Sequence, residues 1–266
     1  MVGKKKNIET IDPFRLEEYR SQLALQHSLK LLEATYTKDS LTIPNGNTNK
    51  LWDDLNAKTH ELLHEGKNPM ADDRAKIVAR NIEPNKSILD VGFGSACLEA
   101  LLTEKKVDLV GIDFSDDSVK TAKGQYHQWS FEVVDIIKPW KSKLLDKKFD
   151  YIVSLEVLEH IPPYQIFQIL NEFHKHLQKN GTLIVSVPLN EGLEQLVKEG
   201  INPNQHVRTY SPALIRAELE IAGFKTTKDY RLFAFSNMYW LKSFISNTLQ
   251  KGRRKPNNII IVAQKI

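Results

Sequence analysis

From residue 86 onward, short apolar runs rich in Val and Ile alternate with stretches in which apolar residues recur at helical spacing. There are seven such runs: SILDV (87–91), VDLVGID (107–113), FEVVD (131–135), FDYIVSL (149–155), GTLIVSVP (181–188), KDYRLFAF (228–235) and NNIIIVAQ (257–264). Regular alternation of strands and helices is typical of α/β proteins. The pattern therefore predicts a doubly wound, seven-stranded, mostly parallel sheet with helices on both faces.

The first 80 residues have helical spacing but no strand pattern. Helices are predicted in FRLEEYRSQLALQHSLKLLEATY (14–36), LWDDLNAKTHELLHEG (51–66) and ADDRAKIVARNI (71–82). We expect a helical N-terminal extension over residues 1–80 and an α/β domain over residues 81–266. The α/β pattern is interrupted near 189–210 and 236–256, where we expect insertions.

Composition narrows the function classes only slightly. The 266 residues carry a net charge of +4, which is too weak to imply a nucleic-acid partner. The single cysteine, Cys97, excludes an internal disulfide and favours a reducing compartment. No apolar run approaches the roughly 20 residues of a spanning helix, and the first residues lack the apolar stretch of a signal peptide. We therefore expect a cytoplasmic location.

The segment LDVGFGSACLEALL (89–102) predicts a glycine-containing turn between the first strand and a helix. Gly92 and Gly94 allow positive φ angles there and let a ligand approach the backbone closely. Asp113 ends the next strand, where a carboxylate can accept hydrogen bonds from both ribose hydroxyls. Together with Asp90, these residues predict a site for a cofactor that contains a nucleoside.

The type of cofactor depends on the residues around the two glycines. A dinucleotide site would carry a third glycine at the position of Cys97. Asp90, two residues before Gly92, would repel a pyrophosphate and suits a ligand with an ammonium and a sulfonium group. Both observations argue against a nicotinamide-dependent oxidoreductase, which is the alternative hypothesis from a different function class.

The run Asp90-Val91-Gly92-Phe93-Gly94-Ser95-Ala96 resembles the D-x-G-x-G-x-G motif of class I S-adenosylmethionine-dependent methyltransferases, with Ala96 in place of the last glycine. The resemblance covers about residues 86–223, and YIVSLEVLEHIPP and NGTLIVSVP look like the ubiquinone-biosynthesis type. It implies a Rossmann-like fold, S-adenosylmethionine as cofactor and methyl transfer. It also implies further cofactor contacts from Phe114, Asp135 and Ile136 around the adenine and from Ser154 and Leu155 beside the methionine portion.

The stretch SLEVLEH (154–160) places two carboxylates and an imidazole directly after the fourth strand. If the chain is helical from Glu156, then Glu156, Glu159 and His160 share one helical face. With His206, after the fifth strand, they suit a divalent ion. The set resembles the metal ligands of small-RNA terminal 2′-O-methyltransferases and of metal-dependent ubiquinone-pathway O-methyltransferases. In that case the metal would lower the pKa of the acceptor oxygen.

Other roles for these residues stay open. Glu156 can contact the cofactor, His160 or His206 can act as a metal-free general base, and the set can be purely structural. The leading hypothesis is O-methylation of a small-molecule or a lipid- or sugar-linked acceptor. RNA 2′-O-methylation and a cofactor-binding partner subunit without catalysis are the alternatives.

The acceptor side is less defined. In similar methyltransferases an N-terminal extension forms a lid, so Trp52, His60 and Met70 are candidates to line the acceptor pocket, with ordinary packing as the alternative. On the opposite wall, Arg208 is a candidate to orient an acidic acceptor, and Tyr210 supplies another polar group.

The insertion at 236–256, SNMYWLKSFISNTLQKGRRKP, has two interpretations. Apolar residues recur at roughly helical spacing at Met238, Leu241, Ile245 and Leu249. One interpretation is a helix packed on the core through these residues. The other is peripheral membrane contact through aromatic and basic residues.

Overall fold

The computed structural model describes residues 29–33, 48, 50–54, 68–200, 202, 204–235, 238–248 and 254–266. Within these residues the strands are β1 (Ser87–Val91), β2 (Asp108–Asp113), β3 (Ser130–Val133), β4 (Phe149–Leu155), β5 (Leu177–Pro188), β6 (Phe224–Leu232) and β7 (Asn258–Lys265). They form one seven-stranded sheet in the order β3-β2-β1-β4-β5-β7-β6. β7 runs antiparallel between β5 and β6, and the other neighbouring strands are parallel. The predicted mostly parallel sheet is confirmed.

The α-helices that lie wholly within the described residues are α1 (Pro69–Asn81), α2 (Cys97–Leu102), α3 (Asp116–Gln125), α4 (Ile166–His176), α5 (Leu193–Lys198), α6 (Pro212–Ile221) and α7 (Tyr239–Asn247). Local sequence explains several helix starts. The Ser115 side chain accepts a hydrogen bond from the Ser118 amide and caps α3. Ser211 caps α6 in the same way, and Pro212 occupies the first turn.

Two apolar layers lie on the two faces of the sheet, because alternate residues of each strand point to opposite sides. Leu89 of β1 belongs to the layer that contains buried residues of α4 and α6. Its neighbour Ile88 belongs to the layer that contains buried residues of α1, α2 and α3. The sheet is therefore covered by helices on both faces, which leaves its carboxyl edge as the place for a ligand.

The structure corrects the boundaries of β6. This strand runs from Phe224 to Leu232 instead of over 228–235, because it pairs with β7 from Phe224 opposite Lys265 to Leu232 opposite Asn258. The third predicted helix is confirmed as α1. Most of the first two lies outside the described residues, and the domain division at residue 80 stays a prediction. No helix among the described residues is both long and apolar enough to cross a membrane.

Candidate functional site

The turn between β1 and α2 has the left-handed backbone that the glycines predicted. Gly92 and Gly94 have φ angles of 75° and 55°. A Cβ atom added at Gly92 would lie 2.4 Å from a methyl group of Val157, so this position has no room for a side chain. Ala96 is also left-handed, at φ 56° and ψ 34°. The alanine that replaces the last glycine of the motif is therefore held in a backbone conformation that glycine adopts at lower cost.

We expect Ala96→Gly to stabilise the protein. Relief of the left-handed strain outweighs the loss of a buried methyl group and the added freedom of the unfolded chain by about 0.5–1 kcal/mol. The melting temperature should then rise by roughly 1–4 °C in calorimetry. The matched control is Ala79→Gly inside α1, where glycine costs about 1 kcal/mol. If both variants lowered the melting temperature by the same amount, that result would contradict the backbone strain at Ala96.

Asp113, at the end of β2, ties the glycine turn to the next loop. One carboxylate oxygen accepts a hydrogen bond from the Gly94 amide at 2.8 Å, and the other accepts one from the Ser115 amide at 2.9 Å. The residue is 6% exposed. Burial raises the pKa of Asp113, while these amide groups oppose the shift. Asp113 thus fixes the shape of the loop at which the ribose was predicted to bind.

Two further carboxyl groups are buried beneath the turn. Asp90 of β1 is 2% exposed, and burial, with Asp113 nearby, raises its pKa to about 7. Glu99 of α2 is fully buried, and burial followed by the proximity of Asp90 raises its pKa well above the ordinary range. A cationic ligand beside Asp90 would favour its ionised form. The turn therefore suits a ligand with a positive charge, as its sequence predicted.

A cavity of about 690 Å³ opens at the carboxyl edge of the sheet. The predicted cofactor residues that line it are Asp90, Gly92, Gly94, Asp113, Phe114, Asp135, Ile136 and Leu155. Ser154 is fully buried and is not part of the lining. Glu156, Glu159, His160 and His206 line the same cavity. One cavity therefore joins the glycine turn to the candidate catalytic cluster.

The expectation that the chain becomes helical at Glu156 is wrong. Glu156 has a φ angle of 58°, and only a short 3₁₀ turn, Leu158–His160, follows it. The Glu156 carboxylate accepts hydrogen bonds from Ser186 Oγ at 2.8 Å and Asn258 Nδ2 at 2.7 Å. Its second oxygen pairs with the Arg74 guanidinium at 3.2 Å. Glu156 therefore lies in the cavity, but its oxygens bind protein groups and it does not share a helical face with Glu159.

Glu159, His160 and His206 do come together, and we call them the Glu–His–His cluster. Oε1 of Glu159 lies 4.0 Å from Nε2 of His160 and 3.9 Å from Nε2 of His206. One ligand atom from each of the three residues lies within 4.8 Å of the others. Glu159 is fully buried, and within the described part of the chain neither of its oxygens has a hydrogen-bond partner. A buried carboxylate without partners is costly unless something else compensates its charge.

The other ring nitrogen of each histidine is held by a protein group. Nδ1 of His206 lies 2.8 Å from the Glu191 carboxylate, and Nδ1 of His160 lies 3.4 Å from the Gln205 carbonyl. Both contacts leave Nε2 facing Glu159. Burial, and then His206, lower the pKa of His160 to about 3. His160 is therefore a neutral imidazole at physiological pH, which is the form that binds metals.

Trp52, in the described segment 50–54, lines the cavity beside His160. The Trp52 ring meets the His160 ring edge-on, with centroids 4.5 Å apart. Asp53 accepts a hydrogen bond from the Ser115 hydroxyl, in the loop after Asp113. Met70 lines the cavity with Trp52. His60, the third predicted lid residue, lies outside the described residues.

Arg208 does not line the acceptor pocket, contrary to the prediction. Its side chain is buried and binds the carboxylate of Glu218, and Tyr210 donates a hydrogen bond to the same group at 3.0 Å. Sequence reasoning missed two residues that do line the cavity, Arg74 and Glu191. Neither belongs to a recognisable motif. Each is defined by a contact with a residue distant in sequence, which local patterns do not show.

Comparison with known proteins agrees with this geometry. A family described as a methyltransferase domain matches residues 62–229. The chain belongs to the S-adenosylmethionine-dependent methyltransferases. The cofactor of this methyltransferase is S-adenosylmethionine, and the left-handed glycine turn, Asp90 and Asp113 fit that cationic nucleoside ligand.

The relatives of this methyltransferase include the "Ubiquinone biosynthesis O-methyltransferase" of Rickettsia conorii. The two are 26% identical over 184 residues, which cover 67% of this chain and 60% of the relative. The same-named protein of Pelagibacter ubique is 30% identical over 115 residues, covering 42% of this chain and 46% of that one. The methyltransferase thus spans about half the length of these curated relatives.

Among solved structures, magnesium protoporphyrin IX methyltransferase from Synechocystis, determined with bound S-adenosylhomocysteine, superposes with a TM-score of 0.53 at 19% identity. The match covers 76% of this methyltransferase and 83% of that chain. At this identity the likeness concerns the fold alone.

Proposed function

We propose that this methyltransferase transfers the methyl group of S-adenosylmethionine to a hydroxyl oxygen of a small acceptor, with a divalent ion held by the Glu–His–His cluster. The observation that carries the proposal is Glu159. It is a fully buried carboxylate without a hydrogen-bond partner among the described residues, and it faces two Nε2 atoms in the cavity that also contains the glycine turn.

The chain's own residues would hold the cofactor at the glycine turn. S-adenosylmethionine supplies the methyl group as a sulfonium, which needs alignment with the acceptor more than bond activation. Gly92 and Gly94 keep the turn free of side chains, and Asp113 is the candidate for the ribose hydroxyls. Phe114, Asp135 and Ile136 are the candidates for contact with the adenine, and Leu155 is the candidate for contact with the methionine portion; all four line the cavity.

The donor set of the cluster, two imidazoles and one carboxylate, suits borderline divalent ions such as Zn²⁺, Co²⁺ or Mn²⁺. An ion bound there would supply Lewis acidity, which lowers the pKa of an acceptor hydroxyl. Glu191 fixes the ring of His206 through Nδ1, as carboxylates commonly do for metal-ligating histidines. Because Glu156 already binds Arg74, Ser186 and Asn258, we assign it to positioning instead of ligation.

An oxygen acceptor is also supported by the relatives, which are named as O-methyltransferases. A metal-free mechanism for the same reaction would use His206, paired with Glu191, as the general base. His160 is poorly suited to that role, because a group with a pKa of about 3 is a weak proton acceptor at neutral pH. A metal titration distinguishes the metal-assisted mechanism from the metal-free one.

We expect metal-free protein to bind one Co²⁺ or Mn²⁺ ion in calorimetry, and Glu191→Gln to weaken that binding about 10- to 100-fold. The glutamine still reaches His206 but supplies no charge. The matched control is Glu194→Gln, whose side chain is 75% exposed and should leave the affinity unchanged. Absence of saturable binding, together with full activity in a chelator, would exclude the metal and leave His206 as the base.

A further inference from the structure

Helix α7 presents apolar side chains to solvent. The exposed residues, with their exposed fractions, are Met238 (63%), Trp240 (53%), Leu241 (51%) and Phe244 (62%). We call these four the α7 apolar face. The buried positions of the helix are Tyr239, Ser243 and Ser246. Surface helices of globular proteins normally turn their apolar side inward, so α7 has the inverse orientation. Of the two interpretations of this insertion, the one in which Met238 and Leu241 pack on the core is wrong.

This orientation is fixed by contacts with α1. The Tyr239 hydroxyl donates a hydrogen bond to the Asp73 carboxylate at 3.1 Å, and both side chains are buried. The Lys76 ammonium, also from α1, lies 5.6 Å from the centroid of the Trp240 ring. A contiguous exposed apolar patch of this kind is typical of an interaction site.

Basic residues are frequent in the insertion that carries the α7 apolar face. Residues 236–256 contain five lysines and arginines and no Asp or Glu: Lys242, Lys251, Arg253, Arg254 and Lys255. The Arg254 guanidinium lies 4.3 Å from the Phe235 ring centroid, and the Lys242 ammonium lies 5.9 Å from it. Arg254 and Lys255 are exposed. Lysine is depleted in protein–protein interfaces, whereas aromatic residues flanked by lysine and arginine are typical of helices that lie in a bilayer interface.

We propose that the α7 apolar face is a docking surface for a lipid bilayer that contains anionic phospholipids. Trp240, Leu241 and Phe244 enter the boundary between headgroups and acyl chains, and Lys242, Arg254 and Lys255 contact the anionic headgroups. The two contributions are separable, because the first depends on apolar area and the second on salt concentration.

Docking in this orientation brings the cavity close to the bilayer. Ala234 and Asn257, at the two ends of the α7 insertion, both line the cavity. An acceptor held in the membrane then has a short path to the site. This last step rests on the proposed function, whereas the docking itself does not.

Co-sedimentation with vesicles tests the docking in the absence of cofactor and acceptor. Vesicles of phosphatidylcholine alone are compared with vesicles that contain equal parts of phosphatidylcholine and phosphatidylglycerol. We expect binding to the mixed vesicles that weakens with salt, and at least about a tenfold loss of partitioning in Trp240→Ser/Phe244→Ser. Tyr164→Ser, which removes a 72% exposed aromatic residue elsewhere, should bind as the unaltered protein does.

Lys242→Glu is the charge variant, and it should lose binding to the mixed vesicles at low salt. The docking proposal is overturned if no binding occurs, or if the double serine variant binds as well as the Tyr164→Ser control. It is also overturned if the unaltered protein self-associates without lipid and fails to bind vesicles, whereas the double variant is monomeric. The face would then be a protein interface. Calorimetry with S-adenosylhomocysteine checks that every variant is folded. If the unaltered protein did not bind S-adenosylhomocysteine, that result would count against the cofactor assignment alone.

Discussion

Glu159→Gln is expected to reduce methyl transfer by a factor on the order of 10³ while S-adenosylhomocysteine still binds. Loss of the carboxylate would remove one of the three proposed metal ligands, and Lewis-acid assistance contributes several kcal/mol to a transition state of this kind. Glu159 is not among the candidate cofactor residues, so cofactor affinity should change little. The measurement is turnover with a hydroxylated acceptor, beside calorimetry with S-adenosylhomocysteine.

The stability of Glu159→Gln distinguishes a functional role from a structural one. Glu159 is buried without a hydrogen-bond partner among the described residues, and burial, followed by Glu156 and Glu191, raises its pKa well above the ordinary range. A neutral amide should therefore leave the metal-free protein at least as stable as before. A variant that is fully active, or that loses activity only because it unfolds, would contradict the assigned role.

The second large effect is expected for Asp113→Ala, with S-adenosylhomocysteine binding weakened on the order of 10²–10³-fold. The substitution removes the acceptor of the Gly94 and Ser115 amides and the candidate ribose ligand together. Hydrogen bonds to a charged group contribute about 1.5–3 kcal/mol each, and part of that loss should appear as a lower melting temperature.

The control for Asp113→Ala is Asp117→Ala, because Asp117 is an exposed carboxylate in the first turn of α3. Calorimetry should find its cofactor affinity within about twofold of the unaltered protein. Equal affinities for Asp113→Ala and the unaltered protein would refute the position of the cofactor at the glycine turn.

The sheet and the glycine turn could be predicted because their signals are local. Gly92 and Gly94 lie between an apolar run and a helical stretch, and Asp113 ends the next run. The carboxyl ends of neighbouring parallel strands lie at the same edge of a sheet, so the last side chain of one strand lies near the turn that follows its neighbour. This placement does not depend on distant segments of the chain. The sequence shows that Ala96 departs from the motif, but its left-handed backbone is visible only in the structure.

The conformation of Glu156 could not be predicted, because it depends on partners from distant segments. Arg74 comes from α1, Ser186 from β5 and Asn258 from β7, and all three bind its carboxylate. These contacts accompany a positive φ angle that local propensity disfavours. Glu191 was missed for a similar reason, since its role is defined only by its contact with His206.

Helix α7 shows the limit of periodicity as a signal. Its apolar spacing predicted a helix correctly, but spacing alone does not say which face is buried. The buried side is determined by the hydrogen bond between Tyr239 and Asp73, which joins residues 166 positions apart.

Anomalous diffraction from crystals grown with Mn²⁺ and S-adenosylhomocysteine tests the central claim most directly. We predict one strong anomalous peak within bonding distance, about 2.0–2.2 Å, of a Glu159 carboxylate oxygen and of Nε2 of both His160 and His206. The peak should lie in the same cavity as the cofactor. A structure with S-adenosylhomocysteine bound at the glycine turn but no anomalous peak at Glu159, His160 and His206 would contradict the metal-assisted mechanism.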